Sequence, residues 1–191
     1  MIRSALFCWL LALIPLHAET GPKIVEATRK QVGVTVSYDP AYTTLAYPNG
    51  DVPREKGVCT DVVIRAFRDG ISQDLQKLVH EDMKANFSAY PKNWGLKKTD
   101  SNIDHRRVPN LRTFFKRRGY ELKLPAEKDA AIFKPGDIVT CTVPPHLPHI
   151  MLISDQKSAT GTPLVIHNIG GGAREEDMLF AFPLTGHYRL K

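Results

Sequence analysis

A cysteine at the predicted start of a helix is the residue of this sequence best suited to covalent chemistry. Residues 57–61 read Gly-Val-Cys-Thr-Asp, and from Cys59 to Phe67 apolar residues recur at helical spacing. The thiol should lie on the inward face of the first turn, beside free amide hydrogens and the positive end of the helix dipole, which favour a thiolate. The position therefore predicts a nucleophile of lowered pKa, although a small buried apolar residue is an alternative interpretation.

Two histidines near the C-terminus are the candidate partners of this thiol. His149 begins a predicted strand at residues 149–154, and His167 lies towards the end of another at residues 164–168. Because side chains alternate along a strand, adjacent antiparallel strands would bring both imidazoles to one face of a sheet. Cysteine acyl-transfer chemistry needs this set: a nucleophile, an imidazole that takes its proton, and a polar group that orients the imidazole.

The elements that must position these groups are helices in the first half of the chain and strands in the second. Helices are predicted at residues 22–32, 59–70, 75–83 and around 111–115, with a short extended piece at 34–38. Strands are predicted at residues 120–124, 137–143, 149–154, 164–168, 179–184 and 187–190. Since the strands follow the helices without alternating with them, the sequence predicts an α+β domain with an antiparallel sheet.

The N-terminus predicts export. Residues 1–18 resemble a cleaved secretory signal, because Arg3 precedes an apolar run that ends at the small residue Ala18. The run is shorter than the ~20 residues of a membrane span, although a short signal anchor is an alternative. Residues 19–191 then form one domain, which we expect in the periplasm or secreted, without stable membrane insertion after cleavage.

The charge of the mature chain is modestly positive. Cleavage after residue 18 removes one of the 26 basic residues and none of the 20 acidic ones, so the net charge falls from +6 to +5. This favours anionic surroundings without identifying one. The sequence contains no element that reads DNA or RNA, so we expect no nucleic acid partner.

The cysteines and histidines also permit two other kinds of site. In an oxidising compartment Cys59 and Cys141 could form a disulfide, which would make the protein a catalytically silent wall-binding module. A domain of this length does not need that cross-link to fold. Cys141, His146 and His149 are possible zinc ligands, but a structural site needs a fourth ligand that is not evident. The sequence therefore predicts no metal and no other cofactor.

Several motifs resemble landmarks of the NlpC-like, papain-fold cell-wall peptidases. They are Gly-Val-Cys-Thr-Asp at residues 57–61, Pro-Gly-Asp-Ile-Val at 135–139, His-Ile-Met-Leu-Ile at 149–153 and Val-Ile-His at 165–167. The resemblance implies a helix-start nucleophile at Cys59, a base at His149 and an orienting residue at His167. It also implies that Tyr47, in a Tyr-x-x-Gly turn, helps to polarise the reacting carbonyl.

A closer resemblance covers nearly the whole mature chain. Tyr-Asp-Pro-Ala-Tyr at residues 38–42, Tyr-Pro-Asn-Gly-Asp at 47–51, Asp-His-Arg-Arg-Val-Pro-Asn-Leu at 104–111 and Ile-His-Asn-Ile-Gly at 166–170 are similar to bacterial exported proteins of the family called domain of unknown function 1287. The name of that family implies no substrate.

Substrate recognition departs from the NlpC-like pattern. Those enzymes commonly have Asp-Cys-Ser around the nucleophile, whereas this chain has Val-Cys-Thr-Asp at residues 58–61. Asp61 could take a related role, or it could simply stabilise the helix N-terminus. Arg106 and Arg107 could grip a substrate carboxylate through paired hydrogen bonds, or lie in a solvated loop.

These observations predict an exported cysteine hydrolase that cleaves an amide or peptide bond. The expected substrate is peptidoglycan or its muropeptides, and the expected catalytic groups are Cys59, His149, His167 and Tyr47. An acyltransferase or thioesterase acting on lipid is a further alternative, because papain-like folds also support that chemistry.

Overall fold

The computed structural model describes residues 20–191 and confirms the predicted α+β class. The helices are α1 (Thr20–Arg29), α2 (Cys59–Ile71), α3 (Leu75–Ala85) and α4 (Val108–Arg117), with 3₁₀ turns at Phe87–Ala89, Asp104–Arg106 and Ala130–Ile132. The strands are β1 (Ser37–Tyr38), β2 (Lys56–Gly57), β3 (Glu121–Leu122), β4 (Ile138–Val143), β5 (Leu147–Lys157), β6 (Pro163–Asn168), β7 (Ala173–Glu176) and β8 (Leu184–Tyr188). The predicted signal at residues 1–18 lies outside the described residues.

One antiparallel sheet carries both candidate histidines. Its six strands follow the order β3-β8-β4-β5-β6-β7, while β1 and β2 form a separate parallel pair. The long strand β5 pairs with β4 on one side and β6 on the other. Because β5 and β6 are neighbours, His149 and His167 lie on adjacent strands, as the sequence predicts.

Near the C-terminus one predicted strand is wrong and one observed strand was not predicted. Residues 179–183, predicted to begin a strand, form turns, and Leu179 is buried in the core from this irregular segment. A strand instead forms at Ala173–Glu176, which pairs with β6. Three of its four residues are charged, so apolar alternation could not reveal it. It is the backbone pairing with β6 that defines this strand.

The sheet packs apolar side chains on both of its faces. On β5, Ile150 and Leu152 join the core cluster that contains the helices and Cys59. Met151, of opposite orientation, joins a second cluster that contains Cys141. The two cysteines therefore pack in different cores.

A buried arginine fixes the chain segment that leads into α2. The Arg65 side chain is fully buried and forms an ion pair with Asp51 at 3.0 Å. It also donates hydrogen bonds to the Thr35 hydroxyl and to the carbonyl groups of Val52, Pro53 and Lys56. Gly57 passes so close that a Cβ there would lie 3.0 Å from the Asp61 carboxylate. These contacts determine where α2 begins.

The helices of residues 20–191 are too short or too polar to cross a membrane.

Candidate active site

Cys59 is the first residue of α2 and is nearly buried. Its side chain is 5% exposed. Two residues further on, the Asp61 carboxylate accepts a hydrogen bond from the Val58 backbone N–H at 2.7 Å and so caps the helix. Backbone N–H groups of Ile150 and Thr60 donate towards the sulfur. The thiol therefore lies against β5 at the residue that follows His149.

The expected lowering of the Cys59 pKa is wrong. Burial raises the pKa of this thiol to about 12, although the hydrogen bonds from Ile150 and Thr60 act in the opposite direction. The nearby Asp61 carboxylate raises it further. The physical reason is that transfer of a thiolate out of water costs more than the helix N-terminus returns. In this state the Cys59 side chain is a neutral thiol.

The two histidines join a carboxylate in one hydrogen-bonded row, which we call the histidine row: His149, His167 and Glu176. His149 Nε2 lies 2.7 Å from His167 Nδ1, and His167 Nε2 lies 2.9 Å from Glu176 Oε1. Both histidines are buried, whereas the Glu176 side chain is 33% exposed. Three consecutive strands, β5, β6 and β7, supply one member each.

The histidine row specifies which nitrogen carries a proton. An ionised Glu176 carboxylate can only accept, so His167 Nε2 donates to it and His167 Nδ1 is left with a lone pair. That lone pair accepts the proton of His149 Nε2, which leaves Nδ1 of His149 as the basic nitrogen. An ionised Glu176 therefore leaves Nδ1 of His149 as the nitrogen that can accept a proton.

The pKa values of the histidines agree with a neutral row. Burial lowers the pKa of His149 to about 3, and the neighbouring His167 lowers it further. Burial also lowers the pKa of His167, against the opposing effect of Glu176. Within residues 20–191, the Cys59 sulfur makes no hydrogen bond to an imidazole nitrogen. The Cys59 sulfur and the His149 imidazole must therefore move closer together before a proton can pass between them. Long catalytic hydrogen bonds of this kind are common in unliganded sites.

Glu176 was missed by the sequence analysis. Its strand was not predicted, since residues 173–176 read Ala-Arg-Glu-Glu and resemble a polar loop. A usable signal was present nonetheless. In a hairpin that turns through the glycines at residues 170–172, a carboxylate a few residues beyond them falls on the same face as His167.

Asn168 ties the histidine strand to the cysteine helix. Its side-chain amide donates to the carbonyl oxygens of Ser37 and Gly57, at 3.1 and 3.0 Å. Its carbonyl oxygen accepts from the N–H groups of Gly170 and Gly172. The residue is fully buried. One side chain thus connects the end of β6, the approach to α2 and the glycine turn.

A cavity of about 350 Å³ opens at Cys59. Tyr38, Trp94, Arg106 and Arg107 line it, together with several prolines and apolar residues. A larger cavity of about 450 Å³, between residues 124–128 and 180–184, contains neither cysteine nor histidine. The cavity at Cys59 is therefore the one that could hold a reacting substrate.

Tyr47 does not lie where its predicted role requires. Its ring packs edge-on against His80, with 5.3 Å between ring centroids, and it does not line the cavity at Cys59. Tyr38 occupies that place instead. Burial raises the pKa of Tyr38 to about 12, and the charge of the nearby Asp61 carboxylate adds to this effect. The assignment of Tyr47 is thus corrected, because the chain turns away between residues 40 and 50.

Asp61 and Arg106 are paired with each other. Their carboxylate and guanidinium make two hydrogen bonds of 2.9 and 3.0 Å, and both side chains are nearly buried. Arg106 also donates to the carbonyl oxygen of Ala41. Neither residue is therefore free to bind a substrate group, which corrects the expectation for both. Of the three predicted binding residues, Arg107 alone remains unpaired at the cavity.

No metal centre is evident among residues 20–191. Cys141, His146 and His149 do not converge with one another or with a carboxylate. Cys59 and Cys141 are both free thiols. The expectation that the protein binds no zinc remains a prediction for elemental analysis.

Comparisons with known proteins identify a family and find similar chains. The model of a family described as domain of unknown function (DUF1287) matches residues 25–190. "Uncharacterized protein YijF" of Escherichia coli strain K12 is 53% identical over 177 residues, which cover 93% of this chain and 85% of that protein. Among solved structures, NlpC1 from Trichomonas vaginalis is similar over 90% of this chain, with a TM-score of 0.46 and 12% identity. The present chain spans 44% of that structure's chain.

Proposed function

This chain belongs to the family described as domain of unknown function (DUF1287), and we propose that it is an exported cysteine hydrolase that cleaves an amide or peptide bond. We propose the peptides of peptidoglycan, or muropeptides released from it, as the substrate. The observation that carries the proposal is that β5 supplies both His149, the first member of the histidine row, and the next residue, Ile150, whose backbone N–H donates towards the Cys59 sulfur.

The first chemical step is attack by the thiol. Cys59 gives its proton to Nδ1 of His149 while the sulfur bonds to the carbonyl carbon of the substrate. Because burial favours the neutral thiol, the proton leaves as the sulfur attacks rather than beforehand. His149 is then positively charged. The Glu176 carboxylate stabilises that charge through His167.

The second step releases the amine and then the acid. His149 returns its proton to the leaving nitrogen as the C–N bond breaks, which leaves a thioester on Cys59. A water molecule then gives a proton to His149 and attacks the thioester, and the sulfur departs with that proton. We propose that backbone N–H groups at the start of α2 stabilise the oxyanion of both steps, with the Tyr38 hydroxyl assisting.

Two lines of sequence evidence support the cell wall as the source of the substrate. The motifs around Cys59, His149 and His167 are those that resemble NlpC-like wall peptidases. The signal predicted at residues 1–18 would deliver the protein to the compartment that contains the wall. Both free cysteines, which pack in different cores, favour a hydrolase over a disulfide-bonded binding module.

The decisive experiment is incubation of purified mature protein with muropeptides, followed by mass spectrometry of the products. The proposal expects a new pair of fragments that differ from the parent by one added water. Cys59→Ala should give no fragments. Cys141→Ala is the matched control, since it removes the other buried thiol and should leave cleavage intact.

Thiol labelling of the same preparation separates the two functions. After denaturation, a hydrolase should expose two titratable thiols per mature chain, because neither is oxidised. A stoichiometric bridge between Cys59 and Cys141, together with intact muropeptides, would support the binding module and overturn the proposal.

A further inference from the structure

Arg106 and Arg107 are consecutive in sequence and both line the cavity at Cys59, but within residues 20–191 only Arg106 pairs with a carboxylate. Arg106 is neutralised by its buried pair with Asp61. Arg107 lies over an aromatic ring, with its guanidinium carbon 4.1 Å from the centroid of Trp94. This stacking holds the group by a cation–π contact and leaves only the edges of the guanidinium free for hydrogen bonds.

The charge of Arg107 is not balanced within residues 20–191. Its Nη1 atom is buried and has no hydrogen-bond partner. Asp104 and Asp100 attract the charge from a distance, but their carboxylates bind other groups, including His80 and the Tyr42 hydroxyl. Burial lowers the pKa of Arg107, since no close anion offsets the lost solvation.

The rest of the cavity offers no competing anion. Its lining contains no acidic side chain and consists mainly of aromatic, proline and aliphatic surface. In such surroundings an arginine edge is a strong site for a planar group with two acceptor oxygens, because two parallel hydrogen bonds form at once. These bonds would come from guanidinium N–H groups of Arg107 other than the buried Nη1.

We propose that Arg107, held on Trp94, binds a free carboxylate of the substrate in the cavity that contains Cys59. The inference rests on the proposed hydrolase function and adds its substrate class: peptides that carry a carboxylate close to the scissile amide. Wall peptides in which that carboxyl group is amidated are then poor substrates, because an amide bears no charge and offers one acceptor oxygen in place of two.

The test measures binding without catalysis. Purified muropeptides, and the same muropeptides with their carboxyl groups converted to methyl amides, are titrated into folded Cys59→Ala protein by calorimetry. We expect amidation to weaken binding about 10- to 100-fold, the range for hydrogen bonds to a charged group. In an Arg107→Gln/Cys59→Ala protein both ligands should bind equally weakly.

A matched control uses Arg118, which also lies over an aromatic ring, 5.2 Å from the centroid of Phe114, but outside the cavity. Arg118→Gln should keep the full discrimination between the two ligands. Arg107→Lys should keep part of it, since an ammonium group retains the charge but not the paired geometry. Circular dichroism of each variant confirms that it is folded.

The outcomes separate the subsite from the hydrolase. Discrimination that survives Arg107→Gln would overturn the carboxylate site, whether or not the wild-type protein cleaves muropeptides. The carboxylate site would also be overturned if inorganic phosphate displaced the unmodified muropeptides far better than acetate does. That result would indicate a phosphate site. If Arg107→Gln abolishes the discrimination but the wild-type protein releases no fragments from muropeptides, the carboxylate subsite is supported and the hydrolase function is contradicted.

Discussion

Two buried networks on the same sheet connect a histidine to a carboxylate, and they differ in what lies at each end. The first is the histidine row. The second, which we call the Asp137 cluster, joins His187 Nε2 to Asp137 at 2.6 Å, and Arg189 binds the same carboxylate at 2.6 Å. The His187 ring packs on Phe133, with 4.6 Å between centroids. The histidine row begins at His149, and the residue that follows it, Ile150, donates its backbone N–H towards the Cys59 sulfur.

The difference shows that a histidine–carboxylate contact does not by itself make a base. In the Asp137 cluster the negative charge is neutralised by Arg189, so the network is complete and links β8 to the start of β4. In the histidine row the carboxylate has no arginine partner among residues 20–191, and its charge is available through His167 to His149. We therefore propose a structural role for Asp137 and a role in catalysis, acting through His167 and His149, for Glu176.

The largest expected loss of turnover comes from replacing Cys59 or the histidines of the histidine row. Cys59→Ala and His149→Ala should each lower turnover of muropeptides by about 10³-fold or more, and the double variant should be hardly worse, because the groups act as a unit. His167→Ala should leave weak residual activity, since it orients the base. Product release measured by mass spectrometry checks these values.

His187→Gln is the counterpart in the Asp137 cluster. Its turnover per folded molecule should match the wild type. Near-wild-type turnover by Cys59→Ala would contradict the mechanism. If His187→Gln lowered turnover as much as His149→Ala does, the two networks would not differ in function.

The next effect concerns stability and breaks the Asp137 cluster. Asp137→Asn leaves Arg189 without its counter-ion at a carboxylate that is 1% exposed. Loss of one partner of a buried pair costs about 3–5 kcal/mol. We expect the free energy of unfolding in urea to fall by that order, with turnover of the folded fraction unchanged. A drop in turnover with no loss of stability would assign the cluster to catalysis.

A smaller effect tests Glu176. Glu176→Gln keeps the size of the side chain but removes the charge that stabilises protonated His149. General acid–base groups contribute about 10²- to 10⁴-fold, and Glu176 acts indirectly, so we expect kcat to fall about 10- to 100-fold with KM little changed. The pH–rate profile should move as well, which a purely structural role would not cause.

The neighbouring carboxylate is the control. Glu175 faces the other side of β7 and pairs with Arg29 of α1 at 2.8 Å. Glu175→Gln should lower the melting temperature slightly without affecting kcat. Equal kcat losses for Glu175→Gln and Glu176→Gln would contradict the role proposed for the histidine row.

The smallest effect is a difference in the pH at which the networks lose stability. Unfolded histidine titrates near pH ~6.5, whereas burial lowers the pKa of His149 to about 3. Between these values the unfolded chain binds more protons than the native one. The stability associated with neutral His149 is therefore complete above pH ~6.5 and is lost as the pH falls towards 3.

The Asp137 cluster should respond at lower pH. Burial alone would raise the pKa of Asp137, but the hydrogen bonds from Arg189 and His187 outweigh it and lower the pKa. Its contribution is present above the ~3.9 of unfolded aspartate and is lost below it. Melting temperatures should thus start to fall below pH ~6.5, and His149→Gln should flatten this part of the curve. An unchanged curve for His149→Gln would contradict the neutral histidine row.

Much of the site could be predicted from sequence because it depends on local patterns. The spacing of apolar residues from Cys59 to Phe67 indicates a helix and its first residue. The residue patterns around His149 and His167 predict two strands that could lie next to each other in an antiparallel sheet. The family resemblance, carried by short motifs, is confirmed by the match over residues 25–190. These features need only a few neighbouring residues to be recognised.

The remaining features depend on residues that are distant in sequence. Asp61 and Arg106 are 45 positions apart, and their mutual pairing removes both from substrate binding. Tyr38 rather than Tyr47 reaches the cavity because of the path of a loop. Burial of Cys59 reverses the expected direction of its pKa, since desolvation depends on everything packed around the sulfur.

The sequence by itself determined the α+β class, the family, the helix that begins at Cys59 and the two strands that carry the histidines. Tertiary structure alone decided that Glu176 completes the histidine row, that Arg106 is neutralised while Arg107 is not, and that the thiol is neutral. The physical reason is the distance along the chain over which each kind of interaction acts. Periodicity and turn chemistry act between neighbours in the chain, whereas charge balance and solvation are set by groups that only the fold brings together.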